Sequence, residues 1–476
     1  MSAPVAATVA PRFQHARLFS GIGLALAEVV AFILCTAVVF AARAVIWDAP
    51  PLFWGLWPVF GCWLLLRYLV SLYPSFGMPH AEELRRSVLT TLVIALAHLI
   101  ALLAAEETEP YRFFGLAIWL LLIPAAYFAR SFARSTLIRA GYYCMPYLVV
   151  GDGPLAEAVI REMRADPELG MVPVAVFGDA GTLATPSVHG VPVQGPFESI
   201  QRRSFPWPVS HVLIALRPDD VRREQLAGTL AESFPRVLVL SDATLLGNLW
   251  ARPRPIGPYL ATEVRQARFS EGQRRAKRMV DILVALPILI AAAPVIAIAA
   301  IAVKLASPGP AFFSQTREGI DGQPVKIYKL RSMVTDAEKR LAEYLASNPA
   351  ARFEFERTLK LRNDPRIIPK VGRFLRRSSI DELPQLWNIV RGDMSLVGPR
   401  IMPTREVERY SPAGQALRRD VPPGLTGLWQ VTSRSNSDLK IREVADAFYV
   451  SNWSVWLDAW ILLRTVRVVL AGSGAY

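Results

Sequence analysis

An α-helical membrane bundle of four spans, an α/β module built on a parallel sheet and an α-rich C-terminal domain with a re-entrant membrane helix hairpin are what this sequence predicts. Three observations carry the prediction. Four apolar runs crowd the first 130 residues, short apolar segments then alternate with polar helical ones, and a fifth apolar run containing two prolines opens a last third dense in Arg, Gly and Pro.

At 476 residues, 52% of them hydrophobic, the chain is long enough for two or three domains and too apolar for one ordinary soluble protein. A formal charge of +13 suggests anionic partners, whether nucleic acid, anionic lipid headgroups or phosphorylated substrates. The membrane segments favour the last two. No nucleic-acid motif is found, and positive-inside arginines explain much of the excess. Cys35, Cys62 and Cys144 lie far apart in or beside apolar runs, which fits neither a disulfide framework nor a zinc site and suggests a reducing compartment. The first residues lack a short apolar core followed by a cleavage site, so no removable signal peptide is expected.

Leu18–Ala42, Leu52–Tyr73, Val88–Ala105 and Phe113–Arg130 are each about as long as a helix needs to cross the hydrocarbon, and they define a transmembrane domain over residues 1–140. Arg12, Arg17, Arg85, Arg86, Arg130, Arg134 and Arg139 fall on one side and the Glu106, Glu107 and Glu109 loop on the other, so both ends of the domain belong in the cytoplasm. Glu28 and Arg67 sit within spans, where charge is costly. Arg67, near an end, is expected to snorkel; Glu28 is left open.

From Pro146 the strands YLVV, VPVAVFG, HVLIAL and RVLVL alternate with helical stretches, giving a module over residues 146–250. Its first turn, Gly151-Asp152-Gly153-Pro154-Leu155-Ala156, reads GxGxxA between strand and helix and makes the module Rossmann-like. Asp179 stands where a ribose-binding acid would sit. The proline in the turn and the small size of the module favour a degenerate, regulatory or structural sheet over a working dinucleotide site. The Pro- and Arg-rich stretch Ala251–Pro258 reads as a loop within a linker, 251–272.

The last domain spans 273–476. Its apolar run, Asp281–Val303, is long enough to cross, but Arg274, Arg275, Lys277 and Arg278 precede it and Lys304 follows, so both flanks carry the cytoplasmic signature. Pro294 removes a backbone donor near the middle, and a re-entrant hairpin over 281–303 is therefore expected in place of a crossing. Near the C-terminus, Phe448–Leu470 is rich in Trp but interrupted by Asp458, Arg464 and Arg467, which suggests an interfacial amphipathic helix.

Between these lie the residues that carry chemistry. Arg376 and Arg377 precede the acidic pair Asp381-Glu382, and Arg400 follows in a Gly-Pro-Arg turn. Ser378 or Ser379 could cap a helix beginning near Ile380, or Asp381 could cap a later one. Either register puts Asp381 at a helix start, where nearby arginines keep a carboxylate ionised and attract phosphate. Such an Asp can attack phosphorus, and an adjacent Glu can help hold magnesium. Capping alone would account for an isolated Asp-Glu pair; what distinguishes this one is its neighbours.

The segment SSIDELPQLWNIVRGDMSLVGPR, with FSQTREG and KIYKLRSM before it and PPGLTGLWQV after it, resembles the monotopic phosphoglycosyl transferases, or polyprenyl-phosphate hexose-1-phosphate transferases. The resemblance covers the whole chain, since large members carry four spans and a Rossmann-like module before a monotopic catalytic domain. It implies that Asp381 attacks the β-phosphate of a UDP-hexose, releases UMP and passes the sugar phosphate to undecaprenyl phosphate, starting exopolysaccharide, capsule or O-antigen synthesis. It also implies Mg2+ held by Asp381 and Glu382, with Lys329, Arg376 and Arg400 as phosphate ligands and Arg317 and Arg434 as weaker matches. The expected location is the bacterial inner membrane with the catalytic domain on the cytoplasmic face, and a homodimer is left open. NPAARFEFERTLKLRNDPRI and the terminal Gly-Ala-Tyr look most like the galactose type, with a glucose-1-phosphate transferase as the alternative. The sequence departs from the family at Ile401, where Pro is usual, and at Thr432–Ser435, where Ser-Gly-Arg-Asn is usual. A membrane-anchored nucleotide-sugar dehydratase would need a second glycine-rich turn and a Tyr-x-x-x-Lys pair, which are not found. A non-enzymatic export regulator would leave the arginines and the acidic pair unexplained.

Overall fold

The computed structural model describes residues 6–46, 56–105, 109–178, 187–200, 205, 209–217, 219–240, 252–256, 259–263, 269–358, 361, 364–432 and 439–470. They fall into two compact units, Met1–Asp242 and Ala243–Tyr476.

The first unit opens with four helices, α1 (Ala6–Ile46), α2 (Leu56–Leu69), α3 (His80–Ala104) and α4 (Glu109–Ala140). Stretches of α1, α3 and α4 are long and apolar enough to cross a membrane, which is compatible with a membrane protein. The second expected span ends earlier than hydropathy suggested: α2 stops at Leu69 and gives way to a turn through Ser71, at φ +62°. Phe32, Phe60, Trp63, Trp119 and Leu122 form the centre of the bundle, and the buried indole N–H groups find partners in Thr91 at 3.1 Å and His98 at 2.9 Å.

Arg67 does not snorkel. It is fully buried, as is Glu28, whose Oε1 accepts from Arg67 Nη2 at 2.6 Å and from Arg130 Nη1 at 3.1 Å. Arg130 also donates to Glu83 at 2.6 Å, and Arg134 converges on the same Glu83 oxygen. A guanidinium that meets carboxylates inside the bundle has no need to reach the headgroups, so pairing overrides the pull toward the interface.

The α/β module follows, with β1 (Met145–Val150), α5 (Pro154–Ala165), β2 (Met171–Gly178), β3 (Ser187–Val188), β4 (Val191–Pro196), β5 (His211–Ile214), α6 (Arg222–Ala231) and β6 (Arg236–Val239). The sheet order is β3-β4-β2-β1-β5-β6, parallel except for the β3–β4 pair. In the glycine turn, Gly151 has φ +129°, and an added Cβ would meet Ala215 O at 2.6 Å. Only glycine fits there. Asp152 packs its carboxylate against Gly178 at the end of β2. Asp179 lies outside the described residues.

In the second unit the stretch expected to be a loop carries a strand: β7 (Arg252–Ile256) pairs antiparallel with β8 (Tyr259–Glu263). Proline tolerates this because a two-stranded ribbon has only edges. Next, α7 (Glu271–Ala306) begins with a capping box, Ser270 with Gln273, and runs as one helical element with Pro287 and Pro294 inside it. Pro294, where a bend is expected, lies near the middle of this element. Most of its apolar side chains, Leu283, Ile290 and Ile298 among them, are exposed.

Then come β9 (Phe312–Glu318), β10 (Pro324–Leu330), α8 (Ala337–Ser347), α9 (Pro349–Thr358), α10 (Val371–Arg377), α11 (Gln385–Arg391), β11 (Ser395–Val397), α12 (Thr404–Val407), α13 (Pro412–Arg419), β12 (Gly424–Thr426), α14 (Leu428–Thr432), α15 (Leu439–Ser451) and α16 (Val455–Leu470). The C-terminal stretch is thus divided between two helices, α15 and α16. Asp458, read as an interruption, is buried and accepts from Lys277 Nζ at 2.7 Å, Tyr449 OH at 2.7 Å and Trp453 Nε1 at 3.0 Å. Pairing with α7 turns α16 inward.

Candidate active site

Asp381 and Glu382 occupy a single 3-10 turn, Ile380–Glu382, between α10 and α11. The chain enters it through Ser379 in the left-handed region, φ +57°. Neither serine caps it: Ser378 Oγ bonds back to Phe374 O at 2.8 Å, closing the end of α10, and Ser379 makes no side-chain cap. Pro384 immediately precedes α11, as a residue without an N–H can. The acidic pair therefore stands one turn ahead of the helix expected to begin with it.

Asn388 fixes this turn against the neighbouring strands. It is fully buried on α11, takes the Tyr328 N–H on Oδ1 at 3.1 Å and donates Nδ2 to Lys326 O at 2.8 Å. Both bonds go to β10, which pairs antiparallel with β9 and carries Lys329. Lys329 Nζ reaches Glu382 Oε1 at 2.7 Å, and Arg400 Nη2 reaches the same oxygen at 3.0 Å. From the α7 side, Arg278 donates to the carbonyls of Ile389 and Val390 at 2.5 and 2.6 Å, capping α11 from behind. Asp281 takes Ser395 Oγ at 2.9 Å and Leu396 N at 3.0 Å, holding β11 and the turn after it.

The two carboxyls sit in different fields. Burial and the charge of Glu382 push Asp381 up to about 6, against the opposing pull of Lys329 and Arg376. Burial would raise Glu382 as well, but Arg400 and Lys329 bring it down to about 2. Arg376, in the last turn of α10, is close enough to act on Asp381. Arg317 on β9 donates to Gln315 Oε1 at 2.6 Å; burial lowers its guanidinium, and it feels Glu406, Arg400, Arg405 and Glu382. Lys329, Arg376, Arg400 and Arg317 thus gather around the acidic pair, whereas Arg434 lies outside the described residues. Ile401, at the departure from the usual Gly-Pro-Arg-Pro, still bonds Gly424 O at 3.4 Å.

The family described as bacterial sugar transferase matches residues 272–472. A UDP-galactose-lipid carrier transferase of Erwinia amylovora is 32% identical over 425 residues, covering 87% of this chain and 85% of the relative. The chain belongs to the bacterial sugar transferase family. Other members it resembles are an undecaprenyl-phosphate galactose phosphotransferase of Salmonella typhimurium, 32% identical over 87% of this chain and 85% of the relative, and a UDP-glucose:undecaprenyl-phosphate glucose-1-phosphate transferase of Escherichia coli, 33% identical over 71% and 70%.

Sequence reasoning about this sugar transferase missed Asn388, Arg278 and Asp281. Asn388 is a polar residue among the apolar side chains of α11, whereas Arg278 sits in the basic flank of α7 and Asp281 at the start of its apolar run, where topology accounts for the charge. It also missed Arg331, which is buried and forks onto Ser307 O at 2.7 Å and Pro308 O at 2.9 Å, tying the end of α7 to the strand that carries Lys329.

Proposed function

We propose that this transferase moves hexose-1-phosphate, galactose-1-phosphate by preference, from a UDP-hexose to undecaprenyl phosphate through a phosphosugar bound covalently to Asp381. The observation that carries the reading is the acidic pair with Lys329 and Arg400 on one Glu382 oxygen. A carboxylate whose neighbour is neutralised by two cations, with a third cation nearby, is suited to approach a diphosphate. An Asp381 carboxylate oxygen forms a bond to the β-phosphorus while the bond to the bridging oxygen breaks, and UMP leaves with that electron pair. An oxygen of undecaprenyl phosphate then attacks the same phosphorus and restores the carboxylate. Arg376 and Arg400 hold the phosphate oxygens as their charge grows; Arg317 borders this group, and Arg434 belongs to the same reading.

Asp381 and Glu382 would hold Mg2+. Among the described residues no group of three acidic, His or Cys side chains could hold a metal, and magnesium commonly takes one or two carboxylates and completes its shell with substrate phosphate and water. The ion would neutralise diphosphate charge. Cytoplasmic nucleotide-sugar requires the site to face the cytoplasm, and the basic flanks of α7 support a helix that enters the inner membrane and returns on the same side. The preference for galactose follows from the two galactose-named relatives, which align over more of their length than the glucose-named one.

The test is UMP release by the purified chain with undecaprenyl phosphate, Mg2+ and either UDP-galactose or UDP-glucose at matched, subsaturating concentrations. Faster release from UDP-galactose is expected, with no release by Asp381→Asn. Faster UDP-glucose turnover would reverse the sugar assignment alone, whereas an active Asp381→Asn would overturn the mechanism.

A further inference from the structure

Arg400 presents its guanidinium to the acidic pair, and its backbone is held from the opposite side. Gly398 and Gly424 approach so closely that a Cβ on Gly424 would lie 2.2 Å from the Gly398 nitrogen, and Gly424 N donates to Pro399 O at 2.8 Å. Behind them, Arg418 in the last turn of α13 donates Nη2 to the Arg400 carbonyl at 2.6 Å. Its other terminal nitrogen, Nη1, bonds Oδ2 of Asp446 on α15. Arg418 and Asp446 are both buried. Tyr410 completes the group: its hydroxyl donates to Asp446 Oδ2 at 3.3 Å, and its ring lies 5.1 Å from the guanidinium carbon of Arg418.

We infer that Asp446 is a positioning residue for the transfer reaction, acting through Arg418 to anchor the Arg400 carbonyl and so aim the Arg400 guanidinium at Glu382 and the phosphate. The inference rests on the reading of Arg400 as a phosphate ligand. Burying an ion pair costs more than packing apolar side chains of the same volume, so stability alone does not account for one here. What the pair supplies is direction. The planar guanidinium has one terminal nitrogen on the carboxylate and the other on the carbonyl, so the carboxylate sets the plane in which the carbonyl is held. Without the Asp446 charge, the buried guanidinium turns to find another acceptor and the Arg400 backbone loses its brace.

A double-mutant cycle tests this on the full-length chain in detergent, reading UMP release with whichever of UDP-galactose and UDP-glucose is turned over faster. Asp446→Asn is expected to lower kcat about tenfold to a hundredfold, the range for removing a supporting partner, with little change in KM. Combined with Arg400→Ala it is expected to be no slower than Arg400→Ala alone, because a residue that acts only through Arg400 has nothing left to act on. Losses that multiply would overturn the inference, since a merely structural defect does not vanish when Arg400 is removed. If Asp446→Asn yields no folded protein, the same cycle is run with Arg418→Lys, which keeps a cation for Asp446 but cannot fork to the carbonyl; the same two outcomes decide. Asp381→Asn measured alongside separates the failures. If it releases UMP at the wild-type rate, the covalent mechanism falls and this inference with it. If it is inactive while the other losses multiply, only the positioning role falls.

Discussion

A single carboxyl, that of Asp381, carries two opposed demands. It must be ionised to attack phosphorus, yet its burial and Glu382 raise it from the ordinary 3.8 to about 6. UMP release is therefore expected to fall as pH drops through about 6, and a pH profile flat to pH 5 would contradict this. Stability runs the other way. An acid that holds its proton longer when folded favours the fold at low pH and loses that advantage as pH rises from about 4 through about 6. At pH 7.5 Asp381→Asn is thus expected to unfold at a higher temperature than wild type, by the equivalent of about 1–2 kcal/mol after screening of this partly exposed group. Below pH 4 the difference should close, and an equal gap at both pH values would rule out the carboxylate as its source. Asp381 and Glu382 were legible in the sequence because they are adjacent and their neighbours form dense motifs. That Lys329 and Arg400 would meet on one Glu382 oxygen was not, since they lie 53 and 18 residues from it in the chain.

Among the helices, the apolar runs and their order were legible from hydropathy, and so were the four strands around the glycine turn. Hydropathy could not show where a charge in a span finds its partner. Arg67 looked like a side chain reaching for an interface, and Glu28 had no assignment, because the pairing depends on how α1, α2 and α4 pack. Asp458 misled in the same way: it breaks an apolar pattern along one helix, yet is satisfied by Lys277 on another. Asn388 left no periodic trace, since its partners are backbone groups of a distant strand. For the bundle the expected outcome is specific. Glu28→Ala leaves Arg67 and Arg130 short of a buried acceptor and should cost about 3–5 kcal/mol, read as thermal unfolding of the purified protein in detergent; melting unchanged from wild type would mean the cluster is not what holds α1.

On the scale of the molecule, the fold class was legible as a succession of compositions, and the course of α7 is where hydropathy and charge disagree. Its length allows a crossing and its flanks argue against one. A cysteine at Lys339, an exposed position on α8, introduced after replacing Cys35, Cys62 and Cys144, should react with impermeant maleimide only once the cytoplasmic face is opened; labelling of intact spheroplasts would mean that α7 crosses. The order of the chain bears also on the buried charges of the first unit. Glu28 precedes Arg67 by 39 residues and Arg130 by 102. During synthesis α1 is therefore complete well before both of its cationic partners exist, and its carboxylate must wait. A lone acid in hydrocarbon costs about 2.5–3.5 kcal/mol on insertion scales, a cost that lapses once α2 and α4 arrive. The pairing that neutralises the acid of the first helix is thus complete only when the fourth helix has been made.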